Sequence, residues 1–289
     1  LTSTNSSIGL IYALKKIYFV LYYVNDCLIN LIYFYMASTY STEKDRRYYN
    51  KNGYIVYRSV LSKKECEDYI KESHRVCKNN LTVTSNIYRK SKKFKNLLRH
   101  KKILSFADTL LKWRVIPIGD IFFFGQSKSN KESGSVPHQD NYAQRAEYGA
   151  FMACGVYFDE ALEDNGALRV FPGSHKLGEI KSNPKPNWVY SKTGKIIKAN
   201  PIGNNTIIPK KFKDKEKIVE LGQGDILFFH AHLIHYAKKN NSNTRKFRRA
   251  CYLKYIKNGH AFWPGWTERR ELIDRNDFDP KNFQKSHQV

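Results

Sequence analysis

The sequence predicts a mainly β fold with flanking helices, built on a double-stranded β-helix core of the jelly-roll or cupin-like kind. Three observations point there. Short apolar runs separated by turn residues recur from about residue 113 to 256, a density that suits an antiparallel barrel better than a doubly wound parallel sheet. Residues 62–112 carry helical spacing instead, with apolar faces to bury. Finally, His138, Asp140 and His235 are metal-ligand types whose outer members stand 97 positions apart, and one site can be made of them only where distant strands meet.

The elements follow in chain order. Residues 1–45 read as an N-terminal extension, 46–275 as the folded domain with its core at about 113–256, and 276–289 as a tail. Residues 8–36 are apolar but are broken by Lys15, Lys16, Asn25 and Asp26, and the longest clean stretch, 17–24, is too short to span a bilayer. Three readings of this stretch stay open. The chain starts with Leu and its first Met is Met36, so 1–35 reads as upstream, non-native sequence; it also reads as a membrane-tending interfacial helix, or as a signal sequence with Ala37-Ser38 as a faint cleavage site. Folding is expected to begin at Tyr48, with a strand at 53–57. Ser62-Lys63-Lys64-Glu65 is a capping-box pattern opening a helix on which Cys66, Tyr69, Ile70 and Cys77 share a face. Ile103, Leu104, Ala107, Leu110 and Leu111 mark a second helix. Strands are expected at 113–124, 150–159, 167–171, within 218–237 and at 247–256. Between them, an insert at 177–217 holds four of the nine prolines and many lysines. A loop of that length without regular structure is uncommon unless it covers a site, and its Trp188 and Tyr190 are candidate lid residues.

Composition narrows the class. At 289 residues the chain can bury one large core. The formal net charge of +24 would attract anions, whether nucleic acid, a membrane surface or an acidic substrate such as a CoA thioester. The charge is scattered over short runs, the densest at 89–95, 210–217 and 238–249, so compositional drift is favoured over a dedicated arm. Five cysteines without a Cys-x-x-Cys pair argue against a zinc knuckle and against a secreted disulfide framework. A reducing, cytoplasmic setting fits them, with membrane association left open through 8–36. A monomer or weak homo-oligomer is expected.

Two histidines and one carboxylate make a facial triad with open coordination positions, the set suited to non-haem Fe(II) that must also bind a co-substrate and oxygen. Residues i and i+2 of a strand share a face, so His138 and Asp140 could grip one ion while Gln139 points away. His-x-Asp alone occurs by chance in many chains. His230 and His232 compete for the distal role, but both differ from His235 by an odd number of positions. The chain also carries the block 164–176, running Asp-Asn-Gly-Ala-Leu-Arg-Val-Phe-Pro-Gly-Ser-His-Lys, the strand Gly224-Asp225-Ile226-Leu227-Phe228-Phe229-His230 leading to Leu233-Ile234-His235, and Phe247-Arg248-Arg249-Ala250.

With His138-Gln139-Asp140 and the opening Asn-Gly-Tyr-Ile-Val at 52–56, these blocks stand in an order that resembles the phytanoyl-CoA dioxygenase family of Fe(II)/2-oxoglutarate oxygenases, over roughly residues 46–270. The resemblance implies Fe(II) held by His138, Asp140 and His235, with 2-oxoglutarate and O2 as co-substrates. It implies hydroxylation of a small-molecule or lipid/acyl-type substrate with release of succinate and CO2. It selects His235 as the distal ligand, and it places the arginine that clamps the 2-oxoglutarate carboxylate about a dozen residues further on. Arg248 is chosen, with Arg249 as the alternative; adjacent strand residues face opposite ways. His175 is assigned to the Pro-Gly-Ser-His turn. Many relatives carry Trp where this chain has Gly155, which predicts a wider pocket. Relatives that halogenate leave position 140 small, so Asp140 points to hydroxylation. A nucleic-acid-demodifying oxygenase and a non-enzymatic β-barrel binding protein are the alternatives. No organised aromatic and basic module supports nucleic acid, and no triad residue is lost as the binding protein would suggest.

Overall fold

Thr42 and Ser62 open the first two helices in the same way. Each hydroxyl accepts from the backbone N–H three residues on, and the carboxylates of Asp45 and Glu65 accept from the cap N–H in return. The computed structural model describes residues 41–78, 81–127, 134–180, 188–190, 196–199, 205–264 and 270–276. The helices are α1 (Glu43–Asn52), α2 (Lys63–Cys77), α3 (Lys92–Leu98), α4 (Lys101–Leu111) and the single turn α5 (Asn141–Gln144). The strands are β1 (Tyr54–Tyr57), β2 (Val83–Ser85), β3 (Val115–Phe123), β4 (Phe151–Tyr157), β5 (Leu168–Val170), β6 (Trp188–Tyr190), β7 (Ile196–Ala199), β8 (Lys217–Val219), β9 (Ile226–His230), β10 (His235–Ala237) and β11 (Ala250–Lys257).

Six strands form one antiparallel sheet in the order β1-β9-β4-β11-β3-β2, and three form a second in the order β10-β5-β8. The two sheets enclose Ala153, Tyr157, Leu168, Val170, Leu227, Phe229 and Leu233. Alternate residues of the same strands, among them Cys154, Val156, Phe228, Cys251 and Leu253, face the other way and pack on Phe94, Leu97, Leu104 and Leu110 of the helices. The larger sheet is thus apolar on both faces, one toward the helices and one toward the space where the site lies. This is the jelly-roll core and helical cover that the strand density and the 62–112 periodicity predict.

The structure corrects several boundaries. Folding does not begin at Tyr48: helix α1 starts at Glu43, crosses the expected boundary at 45/46, and ends on Gly53. Gly53 has φ of 82°, and an added Cβ would stand 2.5 Å from Nδ1 of His175, so both conformation and space call for glycine there. Helix α3 and strand β2 were not expected. The insert carries regular backbone where none was expected, the antiparallel pair β6–β7, which includes Trp188 and Tyr190; their side chains lie outside the described residues. Residues 1–40, with the whole of 8–36, and the tail beyond Asn276 also lie outside them. Among the described residues no helix is long and apolar enough to cross a membrane. Cys66, Cys77, Cys154 and Cys251 are buried and unpaired, as packing residues should be.

Candidate metal centre

His138 reaches the smaller sheet through one backbone bridge. Its N–H donates to the His235 carbonyl at 2.9 Å, and the His235 N–H donates to the His138 carbonyl at 3.0 Å. The two rings therefore stand side by side, with centroids 4.2 Å apart. Each is oriented from behind: Nδ1 of His138 lies 2.8 Å from the Val136 carbonyl, and Nδ1 of His235 lies 2.9 Å from the Leu233 carbonyl. Those carbonyls can only accept, so Nδ1 carries the proton and Nε2 keeps its lone pair for a ligand. The two Nε2 atoms lie 3.6 and 3.7 Å from Oδ1 of Asp140. All three ligand atoms fall within 4.8 Å of one another, and no other such trio of His, Cys, Asp or Glu occurs among the described residues. A first-row ion about 2.0–2.2 Å from each would fit between them. Burial pushes His235 down to about 4, with the neighbouring His138 adding to the effect, so His235 is neutral at neutral pH, the form that ligates.

Asp140 arrives by a different route from the one strand parity predicts. The bridge ends at His138, and Asp140 lies in the right-handed helical region (φ −66°, ψ −29°) at the start of α5. A helical turn brings the carboxylate round to the two rings. Gln139 does point away from the triad. It is buried, donates from Nε2 to the carbonyls of His232 (2.6 Å) and Gly178 (2.9 Å), and accepts at Oε1 from Ile180 N–H (2.8 Å).

The two candidate arginines part company. Arg249 faces the helices: Nε and Nη2 grip Asp159 at 2.7 and 2.8 Å, its backbone N–H donates to the same carboxylate, and Nη1 meets His74 of α2. Arg248 is buried between the sheets, donates from Nη1 to the Asn165 carbonyl at 3.2 Å, and sits against Gly166. Gly166 has φ of 85°, and a Cβ there would lie 2.5 Å from Nη1 of Arg248 and 2.2 Å from the Lys238 carbonyl oxygen. The predicted Asn-Gly turn therefore forms the seat of this guanidinium.

Beside Arg248 the hydroxyls of Tyr157 and Tyr252 meet at 2.7 Å. Burial holds both phenols above their usual range, and the Arg248 charge opposes the rise. Asp140 also acts on Tyr252, so this tyrosine senses the charge of both the triad and the arginine. The sequence reading missed the pair, although parity from Arg248 through Ala250 leads to Tyr252. The expected widening at Gly155 does not occur. A Cβ there would lie 3.0 Å from both the Tyr157 and the Tyr252 rings, so these rings fill the space.

His230 and His232 do not join the triad. They pack with His175 and Tyr148 in a separate aromatic cluster, with ring centroids 5.0–5.5 Å apart. His175 Nε2 meets the Asn50 carbonyl at 3.1 Å, a structural use. Burial pushes His230 down to about 3, with positive charge on His175, His232 and Lys257 adding; His175 and His232 are lowered too, chiefly by burial. Unfolding restores all three toward 6.5, so the unfolded chain binds the extra protons. Stability is therefore complete above pH 6.5 and is lost as pH falls toward 3, by on the order of 4 kcal/mol for His230. Urea midpoints of the metal-free protein should drop across that window. His230→Asn, which keeps an acceptor for the His232 N–H, should flatten the slope, and an unchanged slope would refute the assignment.

The family model for phytanoyl-CoA dioxygenase matches residues 49–250. A probable phytanoyl-CoA dioxygenase of Caenorhabditis elegans is 28% identical over 244 residues, covering 73% of this chain and 74% of its own length. The peroxisomal phytanoyl-CoA dioxygenase of Homo sapiens is 23% identical over 235 residues, covering 72% of this chain; the match spans 66% of that relative. Among solved structures, the epimerase SnoN in complex with Fe3+, alpha ketoglutarate and nogalamycin RO superposes with a TM-score of 0.63 at 19% identity, covering 76% of this chain and 85% of its own. HygX from Streptomyces hygroscopicus, with nickel and 2-oxoglutarate bound, gives 0.59 at 14% identity, covering 83% and 99%. These likenesses establish a shared fold.

Proposed function

Since the chain belongs to the phytanoyl-CoA dioxygenase family of Fe(II)/2-oxoglutarate oxygenases, we propose that it hydroxylates a small-molecule or acyl-type substrate, releasing succinate and CO2. The observation that carries this reading is the backbone bridge that sets His138 and His235 side by side with Asp140 against both. His138, Asp140 and His235 would hold Fe(II), which with 2-oxoglutarate and O2 supplies the oxidising power. Three protein ligands leave coordination positions for the co-substrate and oxygen.

The remaining residues position and shield. Arg248 would clamp the distal carboxylate of 2-oxoglutarate with its planar fork, supported by the Tyr157–Tyr252 hydroxyl pair. Arg249, committed to Asp159, braces the sheet against α2. His235 stays neutral through burial, so this ligand needs no proton loss at neutral pH. The insert at 177–217, with Trp188 and Tyr190, is assigned to covering the substrate and excluding water. The protein is tested by following succinate formation from 2-oxoglutarate, with Fe(II), across acyl-CoAs, amino acids and natural-product extracts. At least one class should raise succinate formation above the substrate-free rate with matching hydroxylated product. Absence of any Fe(II)-dependent succinate would overturn the reading.

A further inference from the structure

The chain returns to the metal centre after its last strand. The Trp263 N–H donates to the Gln144 carbonyl at 2.7 Å, docking this segment on α5, the turn that Asp140 starts. The Arg145 guanidinium lies 4.7 Å from the Trp263 ring centroid, and Phe262 is fully buried. Arg270 then passes over Gly119 of β3, where a built Cβ would stand 4.0 Å from its Cγ. Gly119 pairs with Lys254 of β11. Lys254 shares a strand face with Tyr252, the face turned toward the space between the sheets. Arg270 thus lies on the inner surface of the larger sheet.

Its hydrogen bonding is incomplete. Nη1 donates to the Trp263 carbonyl at 3.2 Å, while Nε is shielded from solvent with no partner. Three other enclosed arginines are matched by carboxylates: Arg275 by Asp108, Arg249 by Asp159, Arg169 by Glu163 and Glu216. Among the described residues Arg270 has no ion pair, and Asp140 is the one carboxylate whose charge reaches it. Burial holds the Arg270 guanidinium below its usual proton affinity, with Asp140 opposing. A metal on Asp140 would weaken even that compensation. A cation held partly out of water without a counter-charge is costly, and a ligand anion would supply the missing partner.

We propose that Arg270 anchors an anionic group of the substrate, a carboxylate or a phosphate monoester, and thereby sets which carbon stands beside the metal. The proposal rests on the reading of His138, Asp140 and His235 as the iron site. Arg248 would hold the co-substrate's carboxylate from β11, and Arg270 the substrate's from the C-terminal segment. A guanidinium suits either anion because its N–H groups match paired oxygens.

Octyl phosphate, octanoate and uncharged octan-1-ol serve as probes, titrated calorimetrically into the metal-free protein and, without oxygen, into protein loaded with Fe(II) and 2-oxoglutarate. At least one anion should bind wild type well above the alcohol, and which anion binds more tightly distinguishes phosphate from carboxylate recognition. Arg270→Gln should weaken that anion roughly tenfold or more, the scale of a charge-assisted hydrogen bond. Its 2-oxoglutarate affinity, read from the visible absorption of the Fe(II) complex, should stay unchanged. Should Arg270→Gln not fold, Arg270→Lys carries the same comparison, with a smaller loss of the anion. Equal anion affinity in wild type and variant, no anion binding to wild type, or a fall in 2-oxoglutarate affinity instead would each overturn the proposal. Anion binding lost with Arg270, in a wild type that never forms the Fe(II)–2-oxoglutarate absorption, would uphold Arg270 and reject the iron reading.

Discussion

Asp140→Ala should abolish substrate-coupled turnover while leaving the fold in place. The Asp140 side chain makes no capping hydrogen bond to α5 and is partly solvent-exposed, so its loss costs little stability. What it removes is the only anionic member of the ligand set, leaving two imidazoles to hold a dication. Loss of groups that merely orient ligands costs roughly 10–100-fold in metal affinity, and loss of a ligand should cost more. Circular dichroism and thermal unfolding of the metal-free variant should match wild type, while calorimetric Fe(II) binding and succinate release collapse. A D140A protein that still couples succinate release to substrate hydroxylation would remove Asp140 from the site.

The second large effect concerns the arginine pair. Arg248→Lys should weaken 2-oxoglutarate by about 1.5–3 kcal/mol, because an ammonium cannot reproduce the two-pronged contact. Arg249→Lys should leave that affinity alone and lower stability instead, since its partners are Asp159 and His74. Measuring apparent 2-oxoglutarate affinity and urea midpoint on both variants separates the roles. If the losses fall the other way round, Arg249 holds the co-substrate and the burial of Arg248 has another purpose.

Much of this arrangement was legible because it depends on short-range rules. Ser62 and Glu65 announced the start of α2. The Asn-Gly at 165–166 announced a turn, and alternation along one strand separated Arg248 from Arg249. Alternation failed at Asp140, because strand pairing ends at His138 and nothing in His-Gln-Asp marks the switch to helical backbone. Gly155 misled for a related reason. A missing side chain reads as empty space in one dimension, yet Tyr157 and Tyr252 lean in from the same strand and the next to fill it. Arg270 could not be found at all, because it comes to the inner face of the sheet only after the chain has turned back past α5. Helix α1 was hidden in a polar stretch with a single buried side chain, Tyr49, too little apolar periodicity to register.

Gln139 has a mechanical consequence. It separates two ligands in sequence, yet its amide is tied to residues 178 and 180, at the root of the insert, and to the carbonyl of His232, three residues before the third ligand. A displacement of that root would pull on the backbone beside His138, Asp140 and His235 alike. One side chain thus serves as a cable between residues 178–180 and the backbone that carries His138, Asp140 and His235.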